Sequence, residues 1–267
     1  MEQPKKNFKI VSDKKTRMIL PNAITLIGVC IGLTSIKFAI DGKFAIAIIA
    51  ILFAGLMDAL DGRIARLIKG TSKMGKELDS LGDVISFGVA PALIMYFWNL
   101  QYLDKLGWFV CLTYVVCVAL RLARFNVNSE EEPSWKDNFF EGIPSPAGGI
   151  VVLMPLIISF SGLGELFFKI NYDILVPTFF IIVSILLIST IPTYSFKKIV
   201  IPRTMTKFLL FGIVLFFGAL LVYTFKILAV TSIVYLCLIP ISYFHYKKIK
   251  KEKNIISDND DGLEDIL

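Results

Sequence analysis

Histidine is almost missing from this chain: among 267 residues there is one, His245, beside a basic run near the C-terminus. Chemistry that needs a His-based triad or a His-rich metal site is therefore not expected. Cysteine is scarce too. Cys30, Cys111, Cys117 and Cys237 all fall inside apolar runs, where they read as small hydrophobes. Neither a disulfide framework nor a Cys metal cluster is suggested. Charge is also thin, at 19% of residues, against 55% hydrophobic. The first 17 residues are polar, and the apolar run after them has no small-residue cleavage site, so no cleaved leader is expected.

What fills the chain instead is long apolar runs, with a mean hydropathy of +0.70. The reading is an all-α integral membrane protein. Eight spans are expected, at about 20–40, 43–62, 79–99, 107–123, 147–162, 173–191, 207–224 and 227–244. If the N-terminus is cytoplasmic, alternate segments hold 23 of the 28 Lys and Arg residues. Lys37, Lys43, Lys105, Lys169 and Lys226 remain for the other side. The positive-inside bias thus puts both termini in the cytoplasm and the protein in the cell membrane. Four regions follow: a cytoplasmic segment 1–19 that could form an interfacial helix, a six-span core 20–191, two further helices in 192–245, and a tail 246–267. In the tail, Lys247 to Lys253 suit anionic headgroups rather than nucleic acid. The acidic stretch after them reads as disordered.

Against this apolar background the segment DALDGRIARLIKGTSKMGKELDSLGD stands out. Asp58 and Asp61 are spaced i,i+3, and Asp79 and Asp83 i,i+4, so each pair shares a helix face. An isolated carboxylate at such a helix end can be an anchor or an ion-pair partner. Four together make an oxygen-rich pocket for a hard cation such as Mg2+ or Mn2+ rather than zinc. Fourteen apolar residues, Phe44 to Met57, precede Asp58. As a helix they cover about 21 Å of a hydrocarbon core roughly 30 Å thick. Asp58 should then lie just inside the cytoplasmic leaflet, at the depth of a lipid phosphate. Arg66 is the natural bidentate phosphate contact. Gly62 and Gly75 allow close approach of backbone or ligand.

Asp58, Asp61, Gly62, Ala65, Arg66, Gly75, Asp79 and Asp83 match every fixed position of D-x2-D-G-x2-A-R-x8-G-x3-D-x3-D. In this the chain resembles the CDP-alcohol phosphatidyltransferase family. The resemblance implies a six-span core, a dinuclear metal centre and transfer of a phosphatidyl group from CDP-diacylglycerol to an alcohol, with release of CMP. It makes Asp58, Asp61 and Asp79 metal ligands, and Asp83 both ligand and general base. It gives Gly62, Arg66, Ser72 and Gly75 to the nucleotide diphosphate end of CDP-diacylglycerol. Pro21, Asn22 and Thr25 resemble the family's start of the first span, with Asn22 and Thr25 toward the nucleotide. A homodimer among membrane lipids is implied as well. The two helices after the core are not explained by the motif.

The segments KELDSLGDVISFGVAPALIMY, RLARFNV (121–127) and FFEGIPSPAGG (139–149) resemble the membrane-embedded phosphatidylserine synthases within the family. That implies L-serine as the acceptor. Serine's carboxylate needs a cation, and Arg121 and Arg124, with Phe125, stand one turn apart at a cytoplasmic helix end. The bland alternative is that both arginines snorkel and anchor the helix. No covalent nucleophile stands out, so direct displacement is expected, driven by positioning and electrostatics. Other readings stay open: glycerol 3-phosphate or an inositol phosphate as acceptor, an ether-lipid donor, or a cation transporter using the carboxylates as a pathway.

Overall fold

The structure is a computed structural model. It describes residues 14–68, 70–128, 139–162, 171–194 and 205–264, without side chains for 14–18, 128, 139–140 and 250–264. The chain forms two compact units, Met1–Trp98 and Asn99–Leu267.

Helix α1 (Lys14–Ile40) opens the first unit. A tight turn at Gly42, φ +73°, leads to α2 (Phe44–Leu67). Beside that turn, the Lys37 ammonium bonds the Asp41 carboxylate and holds it below the usual carboxylate range. The third span is one rod from Lys73 to Trp98 with a change of winding inside it. It comprises α3 (Lys73–Asp83), a π-helical segment (Val84–Val89) and α4 (Ala90–Trp98). In lipid every backbone polar group must be satisfied within the protein, so apolar runs of this length become helices.

Small residues set how closely the helices approach, as is common where lipid removes the hydrophobic drive between helices. A Cβ on Gly28 would sit 3.3 Å from Met57 Cβ, and one on Gly32 only 2.6 Å from Ser86 Oγ and 3.1 Å from its Cα. A Cβ on Gly82 would stand 3.1 Å from Val29 Cγ2. Through these positions α1 touches α2, α3 and the π segment at once.

The second unit begins with a 3-10 turn, Leu100–Leu103. It continues through α5 (Asp104–Asn128), β1 (Phe139–Glu141), α6 (Ser145–Val152), α7 (Met154–Ser161), α8 (Tyr172–Ile188), β2 (Pro192–Tyr194), α9 (Thr206–Val222) and α10 (Thr224–Glu264). β1 and β2 pair antiparallel, Phe139 opposite Tyr194 and Glu141 opposite Pro192. Tyr114 on α5 and Phe180 on α8 meet in the core with ring centroids 5.4 Å apart. Cys111 and Cys117 are buried as small hydrophobes, whereas Cys30 and Cys237 face outward from their helices.

The chain is an all-α membrane protein whose only described strands are the three-residue pair. Five described helices are long and apolar enough to cross a bilayer: 19–40, 44–67, 73–98, 100–127 and 224–249. Two more, α8 and α9, are apolar but have 17 residues each. The expected span 147–162 is broken at Leu153, one residue before α7 and two before Pro155. Proline lacks the N–H that would continue the helix. Of the N-terminal segment 1–19, residues 1–13 lie outside the described residues, and from Lys14 the chain is already α1. The tail also departs from expectation. The acidic stretch after Lys253 is expected to be disordered, yet α10 continues to Glu264. A segment joined to a formed helix has no nucleation to overcome.

Candidate active site

The site in the first unit grows from α1, α2 and α3. The 3.6-residue period places Asp58 and Asp61 on one face of α2, and Asp79 and Asp83 on one face of α3. Asp58, Asp61 and Asp79 each offer a carboxylate oxygen within 4.8 Å of the other two. Asp83 lines the same inner cavity as these three. Asp61 is buried, and its Oδ2 accepts a hydrogen bond from Thr25 Oγ1 on α1.

The donor set fits a hard divalent cation. It is all oxygen, which suits Mg2+ or Mn2+ and not the sulfur- and imidazole-rich sets of zinc. Two carboxylates this close repel by roughly 3–4 kcal/mol per pair at an effective dielectric of about 20. A cation among them offsets that repulsion.

Two cavities meet at these carboxylates. A small inner one is lined by Asp58, Asp61, Asp79 and Asp83 and closed by Gly28, Val29, Ala54, Gly82, Ser86 and Phe87. The outer one has a volume of about 620 Å³, in the range of small-molecule sites. Asp61 and Asp79 line it on one side, and Arg66, Lys73 and Lys76 bring positive charge to it. All six residues expected at the nucleotide lipid line it: Asn22, Thr25, Gly62, Arg66, Ser72 and Gly75.

Local structure explains several of these. Ser72 caps α3, its Oγ accepting from Gly75 N at 2.9 Å. The cavity therefore meets the positive end of a helix dipole. A Cβ on Gly75 would press on Asn22 Oδ1 at 3.0 Å and Ser72 Oγ at 3.1 Å. At Gly62 a Cβ would meet nothing within 4 Å. Packing does not require glycine there, and the missing side chain leaves room in the cavity. Arg66 Nε donates to Gly62 O at 3.0 Å, which lays the side chain along α2.

Arg121, Arg124 and Phe125 belong to the second unit, and their described contacts there are structural. Arg121 is buried, 6% exposed, and its Nη1 donates to Ser145 Oγ at 2.7 Å. Arg124 donates to the Ile188 carbonyl at 2.7 Å and the Ser189 carbonyl at 3.2 Å, closing the C-terminal end of α8. Phe125 is 45% exposed.

Sequence reading did not assign Ser86, Phe87, Gly28 or Gly82 to the site. Ser86 and Phe87 reach the inner cavity from the π segment, where the extra residue per turn turns them toward the acidic face. π-turns inside α-helices are frequent at functional sites. Nothing in the local pattern VISFGV announces that winding. Lys73 and Lys76, in the first turn of α3, stand beside Arg66 in the wall of the outer cavity.

The model of the CDP-alcohol phosphatidyltransferase family matches residues 18–190. A protein of Mycobacterium leprae (strain TN) named CDP-diacylglycerol–serine O-phosphatidyltransferase is 36% identical over 229 residues, covering 83% of this chain and 73% of that protein. One of the same name from Helicobacter pylori (strain ATCC 700392 / 26695) is 35% identical over 181 residues, 68% of this chain and 74% of its own. A Saccharomyces cerevisiae (strain ATCC 204508 / S288c) protein, also so named, is 43% identical over 107 residues, 39% of this chain and 38% of its own.

Proposed function

This chain belongs to the CDP-alcohol phosphatidyltransferase family, and from that premise we propose that it moves the phosphatidyl group of CDP-diacylglycerol onto the hydroxyl of L-serine, giving phosphatidylserine and CMP. The observation that carries the reading is the cluster Asp58, Asp61 and Asp79 opening onto a cationic cavity of about 620 Å³. The names of the relatives from Mycobacterium leprae and Helicobacter pylori support serine as acceptor.

In this reading the serine hydroxyl oxygen attacks the phosphorus that bears diacylglycerol. The bond from that phosphorus to the CMP oxygen breaks, and CMP leaves with the electron pair. Asp83 takes the hydroxyl proton, late in the displacement because a carboxylate is a weak base for an alcohol. Arg66, Lys73 and Lys76 hold the diphosphate, and Arg66 contributes a bidentate fork. Asn22, Ser72, Gly62 and Gly75 shape the nucleotide end, and Thr25 lines both cavities. Asp58, Asp61, Asp79 and Asp83 would hold the cofactor, Mg2+ or Mn2+ as two ions, which would supply positive charge against the diphosphate.

The catalytic core is taken as 20–191, in the cell membrane, with its acidic site and both termini on the cytoplasmic side and two chains forming a homodimer. Arg121, Arg124 and Phe125 remain the candidates for the serine carboxylate. The transporter reading draws no support: α2 runs unbroken through Asp58 and Asp61, unlike the discontinuous helices of a transport site.

The test is CMP release by purified protein given CDP-diacylglycerol and, in turn, serine, glycerol 3-phosphate, inositol phosphate and water. Serine alone should support rapid release. Excess chelator should stop it, and Mg2+ or Mn2+ should restore it. Asp58→Asn and Asp79→Asn should lose it while eluting as folded protein. Release that prefers a phosphorylated alcohol would overturn the acceptor, and full turnover in excess chelator would overturn the metal.

A further inference from the structure

Thr25 faces the acidic cluster rather than only the nucleotide cavity. Its hydroxyl lies 3.1 Å from the Pro21 carbonyl one turn back on α1, and it also bonds Asp61 Oδ2 on α2. A hydroxyl has one proton to donate. A buried carboxylate is the stronger acceptor, because charge-assisted hydrogen bonds are about twice as strong as neutral ones. The proton therefore belongs to Asp61. The rest of the side chain is placed by packing: a Cβ on Gly82 of α3 would come within 3.5 Å of Thr25 Cγ2. Thr25 thus joins all three helices of the site, with its methyl toward α3 and its hydroxyl on a carboxylate of α2. It lines both the inner and the outer cavity.

From this geometry we propose that Thr25 is a positioning residue for the divalent cation. Its hydroxyl orients the Asp61 carboxylate as a ligand, in place of a direct contact to the nucleotide. Committing one lone pair of Oδ2 to Thr25 restricts rotation of the carboxylate about its Cβ–Cγ bond. Asp61 then meets Asp58 and Asp79 with its remaining lone pairs already aimed. Partners that orient a metal ligand in this way typically change metal affinity or activity about 10–100-fold when removed. The proposal rests on the reading that Asp58, Asp61 and Asp79 hold a divalent cation.

The test compares Thr25→Val, which keeps the branched shape and loses the hydroxyl, with Thr25→Ser, which keeps the hydroxyl and loses the methyl. Mn2+ binding to the purified full chain in detergent is followed by the loss of the free-ion electron paramagnetic resonance signal. The KM for CDP-diacylglycerol is measured at saturating Mn2+. Thr25→Val should weaken Mn2+ binding by about 10–100-fold, with its KM little changed once the metal saturates. Thr25→Ser should bind Mn2+ within a few-fold of the parent. Should Thr25→Val fail to fold, Thr25→Ala takes its place with the same expectation. Parent-like Mn2+ affinity in Thr25→Val, with a raised KM, would overturn the proposal and make Thr25 a nucleotide contact. Equal loss of Mn2+ affinity in Thr25→Val and Thr25→Ser would overturn it in favour of packing. A parent that binds no Mn2+, with Asp61→Asn indistinguishable from it, would overturn the metal reading itself and this proposal with it.

Discussion

At the scale of single residues, the two arginines of RLARFNV make specific structural contacts. Arg124 holds two carbonyls at the end of α8, and Arg121 is buried on Ser145. The last carbonyls of a helix have no intrahelical partner, and a guanidinium both satisfies them and opposes the negative end of the dipole. Arg124→Ala should therefore destabilise the protein by about 1.5–3 kcal/mol, the worth of hydrogen bonds made by a charged group. A lowered midpoint of thermal unfolding in detergent is the expected reading. If Arg121 takes the serine carboxylate, Arg121→Ala should raise the KM for serine by about ten- to a hundredfold while leaving the KM for CDP-diacylglycerol near its parent value. Serine methyl ester, which lacks the carboxylate charge, should be a poor acceptor that loses less than serine does. A variant that loses lipid affinity and keeps serine affinity would return Arg121 to a purely structural place.

At the scale of elements, glycine decides where helices and turns meet. The GIPSP turn before α6 is the sharpest case. Gly142 has φ +72°, and a Cβ there would stand 2.8 Å from both the Leu187 and the Ser189 carbonyl oxygens. Its N–H donates to Ile191 O at 2.9 Å, and its own carbonyl accepts from Thr193 Oγ1 at 2.7 Å. The turn is thus stitched to the end of α8 and to β2. Gly142→Ala meets the left-handed penalty of about 1–2 kcal/mol and a clash with backbone as well. The combined loss should exceed about 2 kcal/mol, visible as a lower unfolding midpoint with the Mn2+ affinity of the first unit unchanged. In the first unit, Gly32 plays the corresponding part by letting α1 touch the π segment at Ser86. That contact holds the segment carrying Ser86 and Phe87 against the helix that carries Thr25.

At the scale of the whole molecule, the distribution of basic residues predicts an orientation in the membrane. Lys and Arg concentrate in alternate connections, 23 against 5, and translocation of such segments is disfavoured. Reporters fused after Leu100 and after Asn171 should read as extracytoplasmic. Those after Lys69, Ser129 and Lys253 should read as cytoplasmic. The reverse pattern would put the acidic site on the face away from a cytoplasmic nucleotide lipid and would defeat the proposed function. α9 has no buried residue among its 17, so its surface is suited to lipid or to another membrane-embedded helix, and the family motif in α2 and α3 does not account for it.

The amino-acid order alone determined the membrane class, most of the helices and the pairing of carboxylates on helix faces. Each of these is a local property, a run of apolar residues or a repeat of three or four, and it survives whatever the rest of the chain does. Tertiary structure decided the contacts between distant positions. Thr25 reaches Asp61 across 36 residues, Arg124 reaches Ile188 across 64, and Thr193 reaches Gly142 across 51. It also decided that residues 147–162 break at Leu153 and that the third span winds as a π-helix just after Asp83. Those outcomes depend on which side chain fits against which glycine in another helix. Close packing of that kind is a relation between surfaces, and no one segment contains it.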